Sequence, residues 1–371
     1  MGGIFFGFFK KFFVFILFIS IAIPFHYGST NPNYLIIRLL HSIFFLKHSF
    51  IPDVARPKLS ADYRAFESLM RMKPLAQFDP SEDPFMVVKN IRTSFDMNSI
   101  IPKPSQCQIN KETVQYNEHS VDTYWVNNHQ NKFERNSDRI ILYFHGGGYL
   151  LGDIKGYSGY ECYLSQLFNI TILHIEYRLC PEHPLPEAVE DTVAVYRALL
   201  RENISPSRLF VMGDSAGGGL SLLTIQALIH RHIPIPQGIV VLSPWTDLSA
   251  SGDSFTSNRD KDVMFPTDDN DYMIKLILGP NHSQLLPNNS IYSPLFGSFQ
   301  GFPPMYITVG TGEVYEDDSR RVVKKVQDAN VDVTFEVGLH LLHVYPMFFL
   351  YYPEARRTLD NINRWIQAKF N

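Results

Sequence analysis

Cysteine is scarce. Cys107, Cys162 and Cys180 are the three in 371 residues, and none sits in a Cys-x-x-Cys pattern. That excludes a disulfide framework, leaves at most one bridge and offers no local zinc-ligand spacing. An excess of basic residues is also missing: 33 Lys and Arg against 37 Asp and Glu give a formal charge of −4. A protein that grips nucleic acid needs a basic footprint, so that class is set aside. No internal repeat is visible. What the chain does have is 45% apolar and 14% aromatic residues, which excludes wholesale disorder and suits a sizeable core. The length accommodates one large domain with insertions.

A long apolar run is almost present at the N-terminus. Ile4 to Phe25 is apolar apart from Gly7, Ser20 and the pair Lys10-Lys11, but its charge-free part, Phe12–Phe25, is fourteen residues with Pro24 near the end. A helical span needs about 20 residues. The bulky stretch Ile23-Pro24-Phe25-His26-Tyr27 offers no small-residue cleavage site. The expectation is an uncleaved signal anchor within residues 1–30, with a cleaved signal peptide as the alternative, and lysines before the apolar run hold the N-terminus in the cytoplasm. This implies a single pass through the endoplasmic reticulum membrane with the remainder of the chain lumenal, or secretion if the segment is cut. Sequons at Asn169, Asn203, Asn281 and Asn288 permit glycosylation in that setting. The segment Tyr34–Leu46 is apolar but carries Arg38 and His41, which suits either the membrane interface or the body of the protein.

From residue 51 to 111 the chain is proline-dotted, with a helical patch near Ala61–Met72. Short apolar runs then follow at Thr123–Val126, Arg139–Phe144, Thr171–Tyr177, Leu209–Gly213, Gly238–Ser243, Met305–Gly310 and Val331–Val337. They are β-branched and aromatic, and the later ones are continuous rather than alternating, as parallel strands covered on both faces require. Helical periodicity fills the gaps at Glu187–Arg201, Ala216–His230, Asp317–Ala329 and Glu354–Phe370. The alternation predicts an α/β fold with a mostly parallel, doubly wound sheet. Thr246–Phe302 interrupts it, being long and rich in Ser, Asn, Asp and Pro with one short helix near Tyr272–Leu278. The expected division is therefore a leader at 1–30, an N-terminal segment at 31–110 contributing to a cap, and the main α/β domain at 111–371 with a cap insertion at about 246–302.

Two glycine motifs carry chemistry. Arg208-Leu-Phe-Val-Met-Gly-Asp-Ser-Ala-Gly-Gly-Gly219 is a strand running into a helix with glycines two residues either side of Ser215, the spacing of a nucleophile elbow. Neighbours at ±2 must lack side chains for so sharp a turn, and the serine hydroxyl then stands at the helix N-terminus. Ile140-Ile-Leu-Tyr-Phe-His-Gly-Gly-Gly-Tyr149 is a second strand that ends in a glycine loop. Acyl transfer needs backbone donors aimed at a developing oxyanion; Ala216 supplies one, and Gly146 or Gly147 supplies the other. Asp214 is read as bracing the elbow through hydrogen bonds, and His145 as bracing the glycine loop.

The motifs His-Gly-Gly-Gly-Tyr, Glu176-Tyr-Arg-Leu-Cys-Pro-Glu-His-Pro184, Gly-Asp-Ser-Ala-Gly-Gly and Ser243-Pro-Trp-Thr-Asp-Leu248 stand in one order. In this respect the chain resembles the hormone-sensitive-lipase branch of the α/β-hydrolases, and within it the arylacetamide deacetylase-like esterases, over roughly residues 100–370. The resemblance implies the α/β-hydrolase fold, hydrolysis of lipophilic acyl esters and a lid built partly from the N-terminal segment. It places the triad acid at Glu313 in Thr311-Gly-Glu-Val-Tyr-Glu-Asp-Asp-Ser319, where an aspartate is usual, with Asp317 and Asp318 as fallbacks. The base falls on His343 in His343-Val-Tyr-Pro-Met-Phe348, with His340 as the competing imidazole. The expected mechanism is a Ser215–Glu313–His343 serine hydrolase with an oxyanion hole from Gly146, Gly147 and Ala216. It needs no metal or organic cofactor, and a small lipophilic ester is its partner. Two alternatives share these residues: a non-catalytic ligand receptor on the same fold, and an amidase or acyltransferase with the same triad.

Overall fold

Five-residue runs with no polar break, such as Ile140–Phe144, cannot lie on a sheet with one wet face, and here they do not. The computed structural model describes residues 31–72, 83–94, 97–129, 138–265 and 270–370. In chain order the elements are α1 (Pro32–Phe50), α2 (Ala61–Met72), α3 (Pro84–Ser94), β1 (Gln108–Tyr116), β2 (His119–Asn127), β3 (Ile140–Phe144) and α4 (Ile154–Phe168). They continue with β4 (Thr171–Ile175), α5 (Glu187–Arg201), β5 (Leu209–Asp214), α6 (Ser215–His230), β6 (Gly238–Leu242), α7 (Ser254–Ser257) and α8 (Asn270–Leu278). The last four are β7 (Met305–Gly310), α9 (Glu316–Asp328), β8 (Val333–Gly338) and α10 (Pro353–Phe370). The strands form one eight-stranded sheet in the order β1-β2-β4-β3-β5-β6-β7-β8. β1 and β2 pair antiparallel, as do β2 and β4, and the remaining pairs are parallel.

Period-two alternation divides the core into two layers. Ile140, Leu142 and Phe144 of β3, with Leu209 and Val211 of β5, meet α5, α6 and α9 on one face. Ile141, Tyr143, Phe210 and Met212 meet α4 and α10 on the other. Both faces are dry, so the strands need no polar residues. The β1–β2 hairpin was legible only as Thr123–Val126. β1 is an edge strand, largely exposed, and its sequence is correspondingly polar; such a strand carries little hydrophobic signal.

α1 settles against the body, on the α10 face of the sheet. Its buried residues are Tyr34, Arg38 and His41, with the Arg38 guanidinium donating to the Leu350 carbonyl at 3.0 Å and His41 edge-on to Tyr351. Asn31 caps it, accepting from the amides of Asn33 and Tyr34, and Pro32 follows in the first turn. The anchor expected within residues 1–30 lies outside the described residues, among which no helix is long and apolar enough to cross a membrane. One disulfide is present, Cys107–Cys162, joining the segment before β1 to α4.

Candidate active site

The glycines of the elbow mark places where backbone meets backbone. A Cβ on Gly213 would lie 2.4 Å from the Gly217 carbonyl oxygen, and one on Gly217 would lie 2.0 Å from the carbonyl oxygen of Phe144. The start of α6 is thus pressed on the end of β3, which holds the elbow beside the glycine loop. Ser215 has φ of 53°, the left-handed conformation that a strand-to-helix turn this tight imposes on a non-glycine residue. Its hydroxyl is 2.8 Å from His343 Nε2. The other ring nitrogen, Nδ1, is hydrogen-bonded to Glu313 Oε2. Serine from the end of β5, glutamate from the loop after β7 and histidine from the loop after β8 therefore meet at the carboxyl edge of the sheet, where open α/β sheets place their sites.

Each group is buried: Ser215 is 7% exposed, His343 1% and Glu313 0%. Burial raises the Glu313 pKa, while His343 and its other hydrogen-bond donors act to lower it. Those donors are the Ser243 hydroxyl at 2.7 Å and the Gly310 amide at 2.6 Å, both to Oε1. Ser243 Oγ also accepts from the Val344 amide at 3.0 Å, so one hydroxyl ties the acid to the residue after the base. Backbone strain gathers here: Tyr149, Ser215, Ser243 and the β-branched Val344 all have φ between 46° and 62°, a pattern typical of functional sites. The rings of Phe265 and Tyr315 each lie 5.1 Å from the His343 ring. A Cβ on Gly148 would come 3.3 Å from Met273, so α8 lies over the glycine loop.

The competing residues are engaged elsewhere. Asp317 accepts from the Ser254 amide, and Asp318 from the amides of Thr246 and Asp247. His340 is half-buried, with its amide on Thr311 Oγ1 and its carbonyl receiving the Tyr63 hydroxyl. Cys180 is buried beside the carbonyls of His183 and Ile277, and burial pushes its thiol up to about 12, which removes thiolate chemistry at neutral pH.

One expectation needs correction. The Gly146 amide, expected to face an oxyanion, instead donates to Asp214 Oδ1 at 3.0 Å. A Cβ there would lie 2.3 Å from Asp214 Oδ2, so this glycine serves close approach to the aspartate. Asp214 also receives the hydroxyls of Tyr143 at 2.6 Å and Tyr157 at 3.2 Å. Burial lifts its pKa to about 6 against the pull of these donors. The amides of Gly147, Gly148 and Ala216 have no protein acceptor among the described residues, and Gly147 and Gly148 take φ of 111° and 65°. Gly148 and Ser243 were not singled out from sequence. The signal for Ser243 was its position at the end of β6, level with the ends of β5 and β7.

Comparison with known proteins identifies the family. Residues 141–347 match a family described as having the α/β hydrolase fold. An acetyl-hydrolase of Streptomyces hygroscopicus is 36% identical over 226 residues, 61% of this chain and 74% of that protein. A solved esterase/lipase from an uncultured bacterium superposes with a TM-score of 0.73 at 29% identity, covering 84% of this chain and 99% of its own. An esterase from the bacterial hormone-sensitive lipase family gives 0.71 at 29% identity, with 84% and 99% covered. The chain belongs to the α/β hydrolase fold family. It is an enzyme of the serine hydrolase class that acts on carboxylic ester bonds. The expected single-pass location in the endoplasmic reticulum is corrected by the same findings: these relatives are bacterial esterases, and no described helix can cross a membrane.

Proposed function

We propose that Ser215, His343 and Glu313 form the catalytic triad of a two-step esterase for small lipophilic acyl esters, with a specificity of the arylacetamide deacetylase kind. The 2.8 Å contact between Ser215 Oγ and His343 Nε2 carries the reading. Glu313 accepts from Nδ1–H, which fixes the tautomer, leaves Nε2 free to take the serine proton and stabilises the imidazolium that follows. Ser215 Oγ attacks the ester carbonyl carbon. The oxyanion is received by the amides of Gly147 and Ala216, with Gly148 in the place first expected of Gly146. His343 then protonates the leaving alcohol, and water repeats the sequence on the acyl-enzyme.

A small acyl group is favoured by the rings that crowd the base, Phe265 and Tyr315, and by Trp245, which packs on both Tyr315 and Tyr149. The name of the Streptomyces relative points the same way. Residues 31–110 and about 246–302 serve as the cap; Met273 over the glycine loop supports that role for the second. Ser215→Ala is expected to abolish p-nitrophenyl acetate hydrolysis and fluorophosphonate labelling, and the wild-type enzyme to prefer acetate over octanoate. Labelling that persists in the variant refutes the triad. Folded wild-type protein that takes no label at all is a ligand receptor instead.

A further inference from the structure

Behind the glycine loop lies a group of buried side chains that the ester chemistry does not use. Tyr143 of β3 is level with His174 of β4, so alternation sends His145, His174 and Glu176 to one face of two neighbouring strands. The candidate ligand atoms of these three residues all lie within 4.8 Å of one another. Both imidazoles are fully buried.

The protons on these rings can be assigned from their partners. His145 Nδ1 is 2.8 Å from the Gly146 carbonyl oxygen. A carbonyl only accepts, so Nδ1 carries the proton and Nε2 presents a lone pair. His174 Nδ1 donates to Glu161 Oε1 at 2.6 Å. His145 Nε2 and Glu161 Oε2 are buried and lack hydrogen-bond partners, and His174 Nε2 faces Glu176 Oε2 across 3.4 Å. Orphaned polar atoms at this depth are costly and call for an explanation. Nitrogens held through Nδ1–H by a carbonyl or a carboxylate, with Nε2 left free, are arranged as metal-binding histidines are.

We propose that His145, His174 and Glu176 bind a divalent transition-metal ion, zinc by donor preference, with solvent completing the coordination. The distance between His174 Nε2 and Glu176 Oε2 is 3.4 Å, close to the roughly 3.3 Å edge of a tetrahedral zinc site with bonds near 2.0–2.1 Å. The ligand atoms of all three residues lie within 4.8 Å of one another, so His145 moves toward the other two when the ion is held. The Ile154 amide orients Glu176, whose side chain is 26% exposed and gives the ion its way in. Bound there, the ion ties β4 to the residue that opens the glycine loop. It is structural and takes no part in ester cleavage.

The test is stripping with a chelator, reloading with zinc and counting metal per chain by mass spectrometry, together with thermal unfolding. One zinc per chain and a raised melting temperature are expected in the wild type and in Ser215→Ala, which separates this site from the triad. His174→Asn and Glu176→Gln are each expected to lose at least ten-fold in zinc affinity; the second changes a partly exposed group and serves if the first does not fold. No uptake by the wild type overturns the proposal. So does one equivalent retained at full affinity in the folded variants, which means binding through other histidines.

Discussion

Ser243→Ala isolates the group that connects acid and base. The hydroxyl donates to Glu313 Oε1 at 2.7 Å and accepts from the Val344 amide at 3.0 Å. A hydrogen bond to a charged group contributes about 1.5–3 kcal/mol. Glu313 keeps the Gly310 amide and His343, so the acid is weakened in its hold and not released. If the loss is felt where the imidazolium forms, it converts at about 1.4 kcal/mol per decade to a roughly 10- to 100-fold fall in kcat/KM. That fall should be carried by kcat, with KM within about three-fold, because the hydroxyl supports the base and not the substrate. The pH profile adds a second readout. Glu313 already has a raised pKa through burial, with the Ser243 bond among the influences lowering it. Removing that bond raises it further, so the acid limb of kcat/KM should move to higher pH. The Val344 amide is left unsatisfied, costing stability of about 1–3 kcal/mol, and a melting curve must show the variant folded at the assay temperature. A folded variant with activity within two-fold of wild type and an unmoved acid limb would falsify the reasoning.

Gly217→Ala places a methyl 2.0 Å from the Phe144 carbonyl oxygen and 2.4 Å from that of His145. Neither is a flexible side-chain end, so urea unfolding should show a loss of about 3 kcal/mol or more; a loss under about 1 kcal/mol would mean that β3 and α6 separate freely. The paired change Cys107→Ala and Cys162→Ala opens a cross-link spanning 55 residues, worth about 4 kcal/mol of unfolded-chain entropy. Denaturant midpoints test that, and indifference to the change would show the segment before β1 held by packing alone. Asp214 titrates at about 6 in the fold against its ordinary 3.8, so the folded state holds that proton more tightly. Its contribution to stability is fully present below about pH 3.8 and lost as pH rises through 6, in total about 3 kcal/mol. Asp214→Asn should therefore show a flatter stability curve across this window; an unchanged slope would mean that Asp214 is not the group titrating.

The parallel strands and the helices between them were readable because burial on both faces leaves an unbroken apolar run, and helices α5, α9 and α10 print their buried stripe at helical spacing, while α6 is buried nearly all round. Ser215 was readable for a related reason: the glycines at 213 and 217 are local consequences of one tight turn. Glu313 and His343 needed the family register, since Asp317, Asp318 and His340 stand nearby with the same chemistry and only tertiary contacts distinguish them. The assignment of Gly146 failed because three adjacent glycines look alike in sequence, while the amide of the first is taken by an aspartate 68 positions away. His174 drew no attention because its partners, Glu161 and His145, come from different elements. Metal-ligand spacing is visible in sequence only when ligands share one turn or one knuckle.

The residues that only tertiary contacts decide share a location. Asp214, Glu313, His145 and His174 are all at or below 2% exposure, and the left-handed residues Tyr149, Ser215, Ser243 and Val344 stand among them. Each violates a local rule: a charge buried, a β-branched residue at positive φ, an imidazole nitrogen without a partner. Such costs are sustainable only where many strands end together, because there a group can be held by partners from several elements at once, as Asp214 is by β3, the glycine loop and α4. The two apolar layers behind the sheet provide the stability against which these costs are set. Local sequence reasoning therefore reads the layers directly and the carboxyl edge only through its motifs, and the residues held there by several elements are the ones most worth substituting.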